Sequence, residues 1–492
     1  MLFNSYIFIL LFLPLSVIGW YLLNHTKSEL LPKVFLLGMS LWFYGYFNYK
    51  YLYIIIVSII ANFLLFKFLK SNVHNLLRKS AFAIGIVLNI GLLFYYKYLG
   101  FFTENINAVF NTDLFVTKLL LPLGISFFTF QQVSFVIDSY KKTVPDYSFV
   151  DYALFVSFFP QLIAGPIVLH NEIIPQFADK SNRAVNFENL SKGLYAFSFG
   201  IAKKVLVADI FGNIANLGFS SISDLDSTNA ILAMLAYTLQ IYFDFSGYCD
   251  MATGIALLFN IKLPMNFNSP YRALDMEDFW KRWHITLTRF LTQNIYIPLG
   301  GNRKGKIRTY LNQLIVFTVS GIWHGANWTF ILWGVLNGIS VIFAKLFKKP
   351  LNALKQKCKF IPWLFTFLFI NIMWIYFRAD SITLANQMIK SVFSFKFGTV
   401  NPEFISAVMT AEFEVISWVL GKFSQSLADI YGYILFTLFF IFAIFASVKL
   451  KNTNERLLYF KPDTKRLIVS SFLLVWSVIS LSGVSTFLYF NF

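Results

Sequence analysis

The sequence predicts an all-α, polytopic integral membrane protein, and three observations predict it. Only 13% of the 492 residues are charged, against 57% that are hydrophobic, whereas soluble domains carry about 25% charged residues. The apolar residues gather into runs close to the roughly 20 residues a helix needs to cross a bilayer, the shorter ones extending into their flanks. The 41 Lys and Arg outnumber the 24 Asp and Glu, for a net charge of +17, and the excess sits in short loops between those runs, as cytoplasmic loops require. A nucleic-acid-binding chain would set its basic residues in a domain apart from the spans; this one does not, and nucleic acid is not an expected partner. Cys249 and Cys358 are too few for a disulfide framework, and no bridge between them is expected.

In chain order, MLFNSYIFILLFLPLSVIGWYLL lacks the basic n-region and small-residue cleavage site of a signal peptide, so it reads as a retained first span over 5–23. Spans over 34–47, 51–68 and 81–96 follow and complete an N-terminal wall, residues 1–100. The region 101–346 differs. Pro122 and Gly124 interrupt 119–137, and Pro160, Gly165 and Pro166 interrupt 152–169. Lys203, Lys204 and Asp209 lie within 193–218, and Asp244 and Asp250 within 229–261. Broken helices and charges at membrane depth persist only where protein or water covers them, so this region is expected to form the core around a cavity. Spans over 361–377, 430–448 and 467–490 belong to a C-terminal region, 347–492.

Basic clusters set the topology. Arg303, Lys304, Lys306 and Arg308 mark one cytoplasmic loop. Lys345 to Lys359 mark a second, and Lys449 to Arg466 a third. The near-neutral connection 378–429 is then extracytoplasmic, and the C-terminus ends outside. The uncharged run 311–344 lies between two cytoplasmic loops, so it must enter and return as a re-entrant hairpin. His324 is the run's one imidazole. It lies roughly 24 Å of helix beyond Arg308, in a hydrocarbon core about 30 Å thick, which puts it at depth near the turn. Gly321, Gly325 and Asn327 suit a bend there. An ionisable group at that depth is a functional candidate by default.

The segment 276–296 reads as one amphipathic helix lying near the cytoplasmic interface. Phe279, Trp280, Trp283, Leu287, Phe290 and Leu291 share one face, Lys281, Arg282 and Arg289 the other, and His284 borders the apolar face. His284 has two readings: an interfacial anchor bonded to a backbone carbonyl, or a cavity-lining imidazole that His324 also reaches. Imidazole is the usual general base near neutral pH. His25, His74 and His170 lie in loops or at span ends and are assigned no role. No metal site is expected. Asp244, Gln132 and Asp138 either tie helices together or form a polar lining. Trp323 and Trp328 read as packing residues. Ser246 and Cys249 neighbour aspartates, but no histidine lies near them in sequence to activate a covalent route.

DFWKRWHITLTRFLTQNIYIPLGGNRKG (278–305) and SGIWHGANWTFILWGVLNG (320–338) resemble the two signature regions of membrane-bound O-acyltransferases, in the bacterial branch that O-acetylates alginate and peptidoglycan. QQVSFVIDSY (131–140), FFPQLIAGPI (158–167) and YFDFSGYCDMATGIALLFNIKLPMNFNSPY (242–271) fit the same branch in the same order. The resemblance implies about eleven to thirteen transmembrane or re-entrant helices around a funnel-like centre. It also implies transfer of acetyl from a cytoplasmic thioester, acetyl-CoA, to an extracytoplasmic polysaccharide, with no permanently bound cofactor. His324 maps onto the family's deep histidine and His284 onto the other signature histidine. His324 would take the proton of the attacking hydroxyl, and His284 would orient the donor or stabilise the oxyanion. Arg303 and Lys304 either anchor the loop or attract the phosphates of CoA; Trp323, Asn327, Asp244, Ser246 and Gln132 are candidate cavity-lining residues. The implied setting is a bacterial cytoplasmic membrane, with lipid and a periplasmic acetyltransferase or relay protein as partners. Three other readings stay open: D-alanyl transfer to teichoic acid, a small-molecule transporter with broken central helices, and a non-catalytic scaffold for an envelope complex.

Overall fold

The computed structural model describes residues 1–116, 119–481 and 487–488, and contains helices with no strand among those residues. Among the described residues, six helices are long and apolar enough to cross a membrane. The wall begins with two shorter apolar helices, α1 (Phe8–Asn24) and α2 (Leu30–Gly45). It continues with α3 (Tyr49–Lys70) and α4 (Asn75–Phe110). α4 runs well beyond the expected end at 96. A π-turn over Phe94–Tyr98 carries the helix through Lys97, and the apolar run seemed to stop there only because that lysine interrupts it.

The centre holds α5 (Ile125–Tyr140), α6 (Phe149–Ser157), α7 (Phe187–Ala202), α8 (Asp209–Ser220) and α9 (Ser227–Leu258). A π-turn over Lys203–Ala208 joins α7 to α8. α9 has 32 residues, about 48 Å of helix, and extends well beyond the thickness of the hydrocarbon layer. It is the shared spine of two hydrophobic clusters: Tyr248, Met251 and Ile255 belong to one, and Tyr237, Ile241 and Phe245 to the other. α7 lies flush against it because both helices lack a side chain at the crossing. A Cβ added to Gly200 would sit 2.7 Å from the Gly247 carbonyl oxygen, the small-residue contact that packs helices within bilayers.

The expected amphipathic helix 276–296 is not continuous. It consists of α10 (Met276–Trp280), a break, α11 (Ile285–Leu291) and a π-turn over Thr292–Tyr296. The irregular segment before it takes over the backbone groups that the break releases. Asn268 N–H donates to the Arg282 carbonyl (2.9 Å) and Ile285 N–H donates to the Asn266 carbonyl (3.0 Å). Helical periodicity carries no sign of these tertiary hydrogen bonds.

The segment expected as a hairpin forms two antiparallel helices, α12 (Gly305–His324) and α13 (Trp328–Leu346). At 20 and 19 residues, each is about 30 Å long and matches the full hydrocarbon thickness. Glycines set their closeness: a Cβ on Gly321 would meet the Phe330 carbonyl at 2.3 Å, and one on Gly334 the Phe317 carbonyl at 2.4 Å. α14 (Phe360–Arg378), α15 (Ala411–Phe423), α16 (Gln425–Val448) and α17 (Thr464–Ile479) follow. The expected last span, 467–490, falls partly on 482–486 and 489–490, outside the described residues, as does the C-terminal end assigned to the outer side.

Long-range polar contacts gather the loops at two ends. Arg272 donates to the carbonyls of Val448, Lys449 and Leu450, and Asp275 pairs with Lys355. These contacts bring two of the basic loops to the segment before α10. At the other end of α9, Ser227 N–H donates to the Lys396 carbonyl and the Asn229 amide to the Thr399 carbonyl, so the near-neutral 378–429 connection covers that end.

Candidate active site

His324 is the last residue of α12, and the chain turns extended at Gly325. Its ring is buried among Trp323, Trp333 and Phe377, at centroid distances of 4.8, 5.2 and 5.2 Å. A helix ends with unsatisfied carbonyls and a partial negative charge, and here a wall helix supplies the cation. Lys97 Nζ donates to the Trp323 carbonyl at 2.6 Å and to the His324 carbonyl at 3.0 Å, with the Ser126 hydroxyl at 3.4 Å. Lys97 stands in the π-turn of α4; such turns recur at functional sites. Tyr98 adds a hydrogen bond to the Ile322 carbonyl (3.0 Å).

His284 stands at the break between α10 and α11, with φ 46° and ψ 52°. A β-carbon makes that left-handed conformation costly, so tertiary contacts must hold it. Asn266 supplies them. Its Oδ1 lies 3.2 Å from His284 Nδ1 and accepts from the Thr286 backbone N–H (3.2 Å) and hydroxyl (2.9 Å). Its amide donates to Cys249 Sγ at 3.4 Å. Phe245 packs edge-on against the His284 ring at 4.9 Å. The two imidazoles, from separate signature stretches, end with their centroids 6.4 Å apart, and Trp323 touches both.

A cavity of about 260 Å³ reaches His284. Its inner walls are Trp280, Leu287, Gln313 and Ser320, and Glu277, Lys281 and Lys345 line it too. Lys281 is exposed while His284 is 1% exposed, so the cavity runs from a charged rim to a buried imidazole. An ion pair fixes the rim, Lys281 holding Glu277 at 2.8 Å, and beside it Arg282 holds Asp278 at 2.7 Å. Burial pushes the Asp275 carboxyl up, but hydrogen bonds from Lys355 and backbone N–H groups outweigh it and hold it below the usual carboxylate value. A larger cavity, about 1070 Å³, opens between α16 and α17 along α7 and α8, and no histidine lines it.

Two residues at the histidines were not singled out in the sequence. Lys97 carried a legible signal, a lone lysine in an apolar run; Asn266 carried none, because its role rests on contacts across the fold. Trp323 stacks on Phe130 at 5.2 Å. Asn327 caps α13 through the Thr329 N–H and reaches the Asp380 carbonyl. Arg303 and Lys304 are exposed in the loop before α12. Gln132 joins Ser58, Asn62 and Tyr152 in a buried network between α3, α5 and α6. Asp244 pairs with Lys204 at 2.6 Å, and Asp250 with Lys203 at 2.5 Å. Ser246 is buried on α9. None of Gln132, Asp244, Ser246, Arg303, Lys304, Trp323 and Asn327 lines the cavity that reaches His284. His170, assigned no role, is buried beside Asp138 (3.4 Å) and Tyr147 (3.3 Å). Among the described residues no cluster of His, Cys, Asp and Glu could hold a metal ion.

The model of the MBOAT, membrane-bound O-acyltransferase family matches residues 111–384. The peptidoglycan O-acetyltransferase of Helicobacter pylori is 43% identical over 419 residues, 80% of each chain. The probable alginate O-acetylase of Azotobacter vinelandii is 36% identical over 401 residues, 80% of this chain and 78% of that one. The teichoic acid D-alanyltransferase of Streptococcus thermophilus is 28% identical over 259 residues, 50% of this chain and 62% of that one.

Proposed function

This chain belongs to the membrane-bound O-acyltransferase family, and from that premise we propose that it takes acetyl from cytoplasmic acetyl-CoA and passes it across the bacterial cytoplasmic membrane for O-acetylation of peptidoglycan. It is a multi-pass membrane enzyme of the acyltransferase class. The observation that carries the mechanistic reading is the meeting of two buried imidazoles, of which His284 lines a cavity with a charged rim and His324 lies behind it. The relative at 43% identity favours peptidoglycan over an alginate-like polymer, at 36%, and over D-alanyl transfer, at 28% over half the chain.

A hydroxyl is a poor nucleophile at neutral pH, and a base within about 3 Å of its oxygen makes it competent. In this mechanism His324 takes the hydroxyl proton as the oxygen bonds to the thioester carbonyl carbon. The C–S bond then breaks, and the thiolate leaves with the proton that His324 returns. His284 lines the cavity through which the thioester arrives. The acceptor is a periplasmic acetyltransferase or relay protein, which carries the group to the glycan. Acetyl-CoA binds only for turnover, so no resident cofactor is required.

The test is transfer of labelled acetyl from acetyl-CoA in membranes that contain either the wild type or His324→Ala. A loss of about 10²- to 10⁴-fold at equal protein level is expected, the contribution of a positioned base. Undiminished transfer by His324→Ala would overturn the assignment.

A further inference from the structure

We infer that Asn266 is a positioning residue that locks His284 as the Nδ1–H tautomer, so that its other ring nitrogen, Nε2, meets the acyl donor as a hydrogen-bond acceptor. The inference rests on the acyltransferase reading above and fixes the part His284 plays in it.

A chain of unambiguous donors carries the argument. Backbone N–H groups can only donate. Ile167 N–H donates to the Thr286 hydroxyl oxygen at 3.0 Å, and that hydroxyl, with a lone pair so occupied, turns its own hydrogen to Asn266 Oδ1 at 2.9 Å. Thr286 N–H donates to the same oxygen at 3.2 Å. The atom facing Thr286 is therefore the carbonyl oxygen of the Asn266 side chain and not its nitrogen. This settles the amide orientation, which otherwise has to be inferred from the network. The amide nitrogen on the other side donates to Cys249 Sγ at 3.4 Å.

A carbonyl oxygen has no hydrogen to offer. His284 Nδ1, 3.2 Å from it, must then carry one, because a bare lone pair there would face another lone pair. A neutral imidazole has one N–H and one acceptor nitrogen, so Nε2 is the acceptor. The structure also invests backbone strain in this placement. His284 is held at φ 46°, and Ile285 N–H is tied to the Asn266 carbonyl on the far side of the break. Three sequence stretches join in the network that fixes the Asn266 oxygen facing the ring: Ile167 from 158–167, Asn266 from 242–271 and Thr286 beside the histidine itself.

The consequence is chemical. A resting His284 of this tautomer cannot donate through Nε2, so it does not stabilise a developing oxyanion from that nitrogen. It accepts instead, from an N–H or O–H of the incoming donor.

The test uses full-length protein in lipid nanodiscs with ¹⁵N-labelled histidine, where His284→Ala assigns the His284 signals by their loss. The expected spectrum has a protonated Nδ1 and an unprotonated Nε2; the reverse pattern overturns the inference. The spectrum is taken on resting protein, so it stands or falls separately from acetyl transfer by His324→Ala. In Asn266→Ala the tautomer preference should be lost, with kcat falling roughly 10²- to 10⁴-fold while KM for acetyl-CoA stays within about threefold. Asn266→Asp keeps the acceptor and should restore both the spectrum and most of kcat. An Asn266→Ala variant with wild-type tautomer and kcat overturns the positioning role. If that variant does not fold, the wild-type spectrum still decides the tautomer.

Discussion

The wall helix α4 and the spine helix α9 invert the rule that serves for soluble proteins. α4 is the more apolar, with a mean hydropathy of 1.6, yet only 17% of its spanning window is buried inside the protein; α9, at 1.2, is 78% buried. Lipid is as apolar as leucine, so a hydrophobic face gains nothing by leaving it. Polar groups gain a great deal, because lipid cannot hydrogen-bond them. In this chain the polar side chains mark the inside. Lys97, on the wall helix, follows the same rule: it is turned to the core and caps the end of α12.

Four substitutions would break or sharpen this contrast. The largest effect is expected from Lys204→Met in the spine region. Lys204 holds both Asp244 (2.6 Å) and Asp209 (2.7 Å), and removing one member of a buried ionic cluster costs about 3–5 kcal/mol. Thermal unfolding in detergent should show a clear drop, and an unchanged midpoint would mean that the pair contributes nothing. Lys97→Met should come next. It frees two carbonyls at the base of His324, and kcat should fall about 10²-fold, equivalent to about 2.7 kcal/mol, with the protein still folded. A loss confined to stability would make Lys97 a wall residue after all. Gly334→Val should follow at about 1–3 kcal/mol, the cost of overpacking, since the added carbons meet the Phe317 carbonyl and force α12 and α13 apart. The smallest effect belongs to Leu88→Ala on the lipid face of α4, where the side chain is 64% exposed. Its cost should stay within about 0.5 kcal/mol, and a larger loss would reveal a partner on that face.

The sequence was legible where an uninterrupted apolar run makes one lipid-facing helix. The spans expected at 51–68, 361–377 and 430–448 lie within α3, α14 and α16, because hydropathy over a window of that length is a property of a single helix. The break at His284 was not legible. On an uninterrupted wheel the residue falls beside the apolar arc, but its burial comes from Asn266, which replaces the missing helical hydrogen bonds from elsewhere in the chain. The end of α4 was misplaced for a related reason. Lys97 looked like the water-facing end of a span, and nothing local reveals that its ammonium meets the carbonyls of residues far along the chain.

The lysine–aspartate pairs of the core also constrain how the protein is made. Asp244 and Asp250 together would cost α9 roughly 5–7 kcal/mol on translocon insertion scales, and Lys203 with Lys204 would burden the α7–α8 segment similarly. Each segment is a poor passenger alone. Only a short connection separates them, so they can leave the translocon together, with each lysine already beside its carboxylate. A nascent chain that stops before α9 should leave α7 and α8 unintegrated, which makes the core's ionic pairing a step in the assembly order of the membrane protein.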